Sequence, residues 1–279
     1  MQMTNSFVQK GLILAFCAGM TLLTSCAQLK SRDQLNQGVL SYKNGKYADA
    51  VKHFKEAVEY DPTSKNAQLY LATSYYIQWV PGAENPENVK NHDMAASQFQ
   101  DVLKRDPSNS LALAMMASMA YNAAQAGTPE QKAKALDEAR SWNRKRIEAN
   151  PKESEPYYYL GVIDWASAYS PIQAARVEQK MASTDPGPIK DAKVRADMKE
   201  KYGAAIDDGI GNLRKCLDID KENEDAMSYI NLLLRKKADL EDTPDAAKAD
   251  IAQAEEWFNK SIETKKIKAT RPAKKEEQS

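Results

Sequence analysis

The chain has 279 residues, with 39 Lys and Arg against 39 Asp and Glu, so its formal net charge is zero. That balance offers no basic stripe for nucleic acid, whose binding rests on phosphate neutralisation. Only 11 Gly and 12 Pro argue against a loop-rich β fold, and 2 His with 3 Cys leave little material for a zinc site or a disulfide framework. In chain order, Met1 to Lys10 carries one cation, Lys10, and no acid. Gly11 to Leu23 is then an apolar run of 13 residues. A bilayer core needs about 20 residues of helix, so the run has the proportions of a secretory signal instead.

The run ends in Leu23-Thr24-Ser25-Cys26, which resembles the lipobox of bacterial lipoproteins. The resemblance implies removal of residues 1–25 and lipid attachment at Cys26; an ordinary secretory signal with a chance Cys is the alternative. Cys17 would be lost, and Cys216 would have no partner for an internal disulfide. Residues 26–30 then read as a short tether before a helix that begins near Arg32. Ala27 stands where an Asp would resemble an inner-membrane retention signal. The expected location is therefore the bacterial cell envelope, facing the periplasm, with the outer membrane favoured.

The next signal is a spacing. Gly38, Gly45, Tyr47, Ala50, Phe54, Ala57 and Pro62 fall at intervals that resemble the tetratricopeptide repeat, a helix–turn–helix unit of about 34 residues. Small residues let the helices approach, Phe54 fills the space between units, and Pro62 ends the second helix. Pro62, Pro107 and Pro151 recur at intervals of 45 and 44. The resemblance extends to five units, at 31–64, 65–109, 110–153, 154–223 and 224–268, followed by a polar tail at 269–279. It implies an all-α, right-handed solenoid.

Units 2 to 5 carry insertions in the turn between their two helices. Asn85-Pro86-Glu87, Thr128-Pro129-Glu130 and Thr243-Pro244-Asp245 each read as a capped helix start, so the second helices should be longer than the family norm. Gln131 completes a capping box with Thr128. The insertion of unit 4, residues 170–205, is longer. Ser170-Pro171 is expected to open a short helix reaching Met181, Asp185-Pro186-Gly187-Pro188 to turn, and a helix to resume near Lys190. This insert reads either as a binding element or as a lid over apolar surface.

No phosphate-binding glycine loop or paired metal-binding His motif occurs. Adjacent carboxylates such as Asp207-Asp208 point about 100° apart on a helix and share no site. Cys216 occupies a small packing register and reads as inert. The expectation is no catalysis, no catalytic residue, no metal and no cofactor. Two charges break the small-and-apolar pattern. Arg146 and Asp164 lie on consecutive helices and are expected to form a partly buried ion pair, with Arg146 reaching solvent as the alternative.

In the family the resemblance points to, the first helices line a groove. One register of those helices reads Tyr42, Tyr76, Tyr121, Trp165 and Arg235, with Leu69 and Tyr158 in a neighbouring register. Tyr and Trp dominate binding hot spots. The stripe is therefore a candidate surface for a protein partner; packing against the unit-4 insert or neighbouring helices is the alternative. Layout also resembles the repeat lipoproteins of outer-membrane β-barrel and pilus assembly. The function implied is a lipid-anchored scaffold in an assembly or secretion complex, the alternative being a periplasmic module that holds a peptide or glycan. Partners expected are a protein and the membrane, with no nucleic acid.

Overall fold

The computed structural model describes residues 26–182, 185 and 187–271. The signal segment 1–25, with Cys17, lies outside the described residues, as do Pro186 and the tail from residue 272. Ten helices and no strand occur among the described residues. They are α1 (26–43), α2 (Tyr47–Tyr60), α3 (Lys65–Tyr76), α4 (Pro86–Arg105), α5 (Ser110–Ala123), α6 (Pro129–Ala149), α7 (Glu155–Glu178), α8 (Ala192–Ile219), α9 (Glu224–Leu240) and α10 (Pro244–Thr270). Five helix pairs follow the five repeat units. Residues 26–30, expected as a tether, are helical and continue into α1. No described helix is long and apolar enough to cross a membrane.

The chain divides into two compact units at Met116 and Ala117, within α5. In the first, Gly45 turns α1 into α2 with φ +71, a conformation that favours glycine. A Cβ on Gly38 would stand 2.5 Å from the Phe54 ring, so α1 and α2 touch there through a missing side chain. Phe54 is fully buried and stacks on Tyr70 of α3, with centroids 5.2 Å apart. α4 starts as its sequence dictates. Asn85 caps it by accepting from the Asn88 amide at 2.9 Å, with Pro86 in the first turn. Asn88, itself buried, fastens the α3–α4 connection. It accepts from the Val80 amide at 2.6 Å and donates to the Val80 and Ala83 carbonyls at 2.9 and 2.7 Å.

In the second unit the Thr128 capping box opens α6, and Thr243 caps α10 at the Ala246 amide. The lengthening of the second helices follows these starts: α6 has 21 residues and α10 has 27. Gly161 lets α7 meet α8; a Cβ there would stand 2.4 Å from Leu213 Cγ. Ala168, Ile172, Ile189, Ile206, Leu213, Cys216, Ile230 and Leu233 form the main core of this unit.

The unit-4 insert differs from the sequence expectation. No new helix opens at Pro171, because α7 runs through it to Glu178. Pro lacks an amide and ordinarily breaks a helix. Here Ala168 and Ile172, both fully buried, anchor the helix on each side of it. Most of the insert therefore lengthens α7 and α8, leaving a connection at 179–191. Asp191 restarts the chain as α8 by accepting from the Lys193 and Val194 amides. Met181 and Ile189 from the connection are buried, Ile189 in the main core.

Candidate functional site

Six aromatic rings of the second unit touch in sequence across α5, α7 and α9. Tyr121 lies 5.9 Å from Tyr159, Tyr159 lies 5.3 Å from Tyr158, and Tyr158 lies 5.7 Å from Tyr229. Tyr229 lies 5.5 Å from Trp165, which lies 5.0 Å from Tyr169. These centroid distances suit edge-to-face and tilted ring pairs, which add attraction beyond simple burial. Helical spacing explains the arrangement. Tyr158, Trp165 and Tyr169 fall at steps of 7 and 4 along α7, which puts them on one face. Burial raises the phenols of Tyr121, Tyr158 and Tyr229 above their ordinary value, so all three stay neutral donors at physiological pH.

The ring series ends at a pocket of about 550 Å³. Trp165 and Tyr169 wall it from α7, Leu232 and Arg235 from α9, and Ile251 and Glu255 from α10. Arg235 Nε donates to Asn231 Oδ1 at 2.9 Å, and Lys236 Nζ sits 5.6 Å from the centre of the Tyr169 ring. The indole N–H of Trp165 is buried with no acceptor among the described residues. Apolar walls with few polar groups are what ligand pockets are built from.

Asp185 and Gly187 of the 179–191 connection edge this pocket. One buried residue holds them there. Arg176 of α7 pairs with Asp239 of α9, and it donates to the carbonyls of Ala182, Asp185 and Gly187 at 3.0, 2.6 and 3.2 Å. The Ile189 amide donates to the Asp239 carbonyl at 2.9 Å, and Lys236 Nζ reaches Asp239 Oδ2 at 2.6 Å. The insert thus covers core with Met181 and Ile189 and borders the pocket with Asp185 and Gly187.

The sequence-expected residues divide between the two units. Tyr121, Tyr158 and Trp165 join the ring series, and Trp165 and Arg235 meet at the pocket. Tyr42, Leu69 and Tyr76 belong to the first unit. There Tyr42 meets Tyr47 at 5.3 Å and Tyr76 meets Trp79 at 6.2 Å, while Leu69 is half-buried on α3. Tyr159, Tyr169, Tyr229 and Lys236 were missed. For Tyr159, Tyr169 and Lys236 the signal was proximity to Tyr158, Trp165 and Arg235, one residue or one helical turn away; Tyr229 lies six residues before Arg235 and carried no such signal.

Arg146 and Asp164 are both buried, but the structure gives each a different partner. Arg146 pairs with Glu153 in the turn before α7 and with Glu155 at its start, and Asp164 with Arg140 at 2.9 Å. The reason is antiparallel packing. Moving deeper along α7 from Glu155 to Asp164 requires moving back along α6 from Arg146 to Arg140. Burial raises the Asp164 carboxyl above its ordinary value, although Arg140 acts to lower it.

Residues 32–64 match the tetratricopeptide repeat family. Among the solved structures that share the fold over most of the chain are two of MamA. A crystal structure of MamA is 15% identical with a TM-score of 0.53, covering 84% of this chain and 97% of that one. MamA 41-end from Desulfovibrio magneticus RS-1 is 15% identical with a TM-score of 0.54, covering 86% and 98%. No protein of curated function matches the sequence. The fold is an all-α solenoid of tetratricopeptide type. Among the described residues, no group of three or more His, Cys, Asp or Glu is placed to hold a metal ion. Cys26 is exposed at the head of α1, and Cys216 is buried.

Proposed function

We propose that this chain is a non-catalytic scaffold that binds a segment of another protein along the aromatic series of its second unit. The observation that carries the reading is the run of six touching rings that ends in a pocket walled by Trp165, Tyr169, Leu232 and Arg235. Half-exposed Tyr and Trp beside an Arg are the composition of a binding hot spot. Apolar side chains of a bound segment would pack on the rings. A hydrogen-bond acceptor on that segment would meet the Arg235 guanidinium on the pocket wall.

The proposal includes attachment at Cys26 by lipid, in a bacterial cell envelope and facing the periplasm, with the outer membrane favoured. Leu23-Thr24-Ser25-Cys26 and the exposure of Cys26 support it. Since α1 begins at the Cys, almost no tether would separate the first repeat from the bilayer. That geometry suits a subunit of a membrane-bound assembly or secretion complex.

The test is affinity capture of the membrane-solubilised protein with mass spectrometry, comparing wild type with Tyr169→Ala and Arg235→Ala. The proposal expects one protein to be retained by wild type and lost in both variants. Glycan retention without a captured protein would contradict it. Cys26→Ser should release the chain from membranes; a variant that stays bound removes the lipid-anchor part alone.

A further inference from the structure

One register of the second helices is buried throughout the earlier repeats and exposed in the last. Phe54, Phe99 and Leu213 are fully buried, whereas Phe258 of α10 is 47% exposed. In the first unit the covering group is known: Tyr70, on the next helix in the chain, stacks on Phe54. α10 is the last helix among the described residues, and no described helix covers this register of it. Ile262, one turn further along, is also exposed.

These two residues belong to a stripe with its own pattern. Ile251, Glu255, Phe258, Ile262, Lys265 and Ala269 follow steps of 4, 3, 4, 3 and 4 along α10. That is the spacing of a helix–helix seam. The stripe is self-complementary when read against its own reverse. In an antiparallel pair, Phe258 faces Ile262, Ile262 faces Phe258, Glu255 faces Lys265, Lys265 faces Glu255, and Ile251 faces Ala269. Neither Glu255 nor Lys265 forms an ion pair among the described residues.

We infer that this stripe of α10, whose Ile251–Glu255 end borders the pocket, is the seam of a homodimer, its occupant being the antiparallel α10 of a second copy. The contact is two-fold and self-complementary, the commonest closed symmetry. The two-fold repeats each contact, so the dimer holds two Glu255–Lys265 pairs and two Phe258–Ile262 contacts. The stripe is about 27 Å long at 1.5 Å per residue. One helix of that length buries less than the roughly 800 Å² per partner of a standard interface, so the dimer is weak and reversible.

Sedimentation equilibrium of the full chain in mild detergent tests this, over about 1 to 200 µM. Wild type should show a monomer–dimer equilibrium. Glu255→Lys and Lys265→Glu should each weaken it about tenfold, since two attractive pairs become repulsive. The double variant Glu255→Lys, Lys265→Glu should restore the wild-type constant, with circular dichroism confirming that all four proteins are folded. A wild type that stays monomeric overturns the inference. So does a dimer that ignores the reversals, or one that the double variant fails to restore. Partner capture is read from Tyr169→Ala and Arg235→Ala, which lie outside the stripe, so loss of a captured protein in those variants leaves this result unaffected.

Discussion

Replacing Arg176 with Ala should remove the group that ties the 179–191 connection to α9. Arg176 is 2% exposed and its partner Asp239 is 5% exposed, so the pair lies in the interior. The guanidinium also holds three carbonyls of the connection, those of Ala182, Asp185 and Gly187. Taking one member from a buried ion pair costs about 3–5 kcal/mol, because the other charge stays behind without compensation. Lys236 remains beside Asp239 at 2.6 Å, which sets the expectation at the lower end, about 3 kcal/mol. With a urea slope of about 2–3 kcal/mol per molar, the unfolding midpoint should fall by roughly 1–1.5 M. Three of the four tryptophans, Trp142, Trp165 and Trp257, lie in this unit, so fluorescence mainly reads it, and circular dichroism supplies the second probe. A matched double variant sharpens the test. Arg176→Met with Asp239→Asn should lose less than Arg176→Ala alone, since no buried carboxylate is left without its guanidinium and the Asn oxygen still accepts from Lys236. A loss below about 1 kcal/mol for Arg176→Ala, or a double variant less stable than the single one, would refute the clamp.

Two glycines on touching helices should respond in opposite ways. Gly161→Ala drives a methyl into Leu213 and should destabilise by about 1–3 kcal/mol in urea unfolding. Gly211→Ala on α8 meets nothing within 4 Å and should stabilise by about 0.5–1 kcal/mol. Burial pushes the Cys216 thiol up to about 11, so it should resist a thiol reagent at pH 8 while folded and react only on unfolding. The Asp164 carboxyl sits above its ordinary value of 3.8, so the folded chain retains a proton that the unfolded chain releases. Its contribution therefore declines as pH rises from 3.8 through the raised folded value. Asp164→Asn should flatten that decline when urea midpoints are compared from about pH 4 to 7.

Local physics made much of the fold legible. Asn85, Thr128 and Thr243 each cap the helix that follows, because short polar side chains before Pro and an acid are a helix start. Gly38 and Gly161 mark close helix contacts for the same local reason, the absence of a Cβ. Pro171 misled because tertiary burial of Ala168 and Ile172 outweighs a local breaker. Residues 26–30 misled in the other direction, since a tether was inferred from a cleavage motif and the backbone there is helical.

The site was legible in part. Trp165 and Arg235 were read from one register and do meet at the pocket. Arg176 and Asp239 were not, because they stand 63 residues apart and each alone resembles a solvated charge. Arg146 and Asp164 were recognised as odd within their registers, but partner choice depends on how far along each antiparallel helix a residue lies. That is a property of packing depth, which a repeat register does not contain.

The central claim is that the aromatic series of the second unit receives a protein segment. A photo-crosslinking amino acid placed at Tyr169, on the pocket wall, tests it most directly in cells. Lys215, exposed on α8 and outside the pocket, serves as the control site. The account predicts one crosslinked protein from position 169 that is absent from position 215 and lost when Arg235 is also changed to Ala. No crosslinked protein at 169, or the same products from both positions, would contradict it.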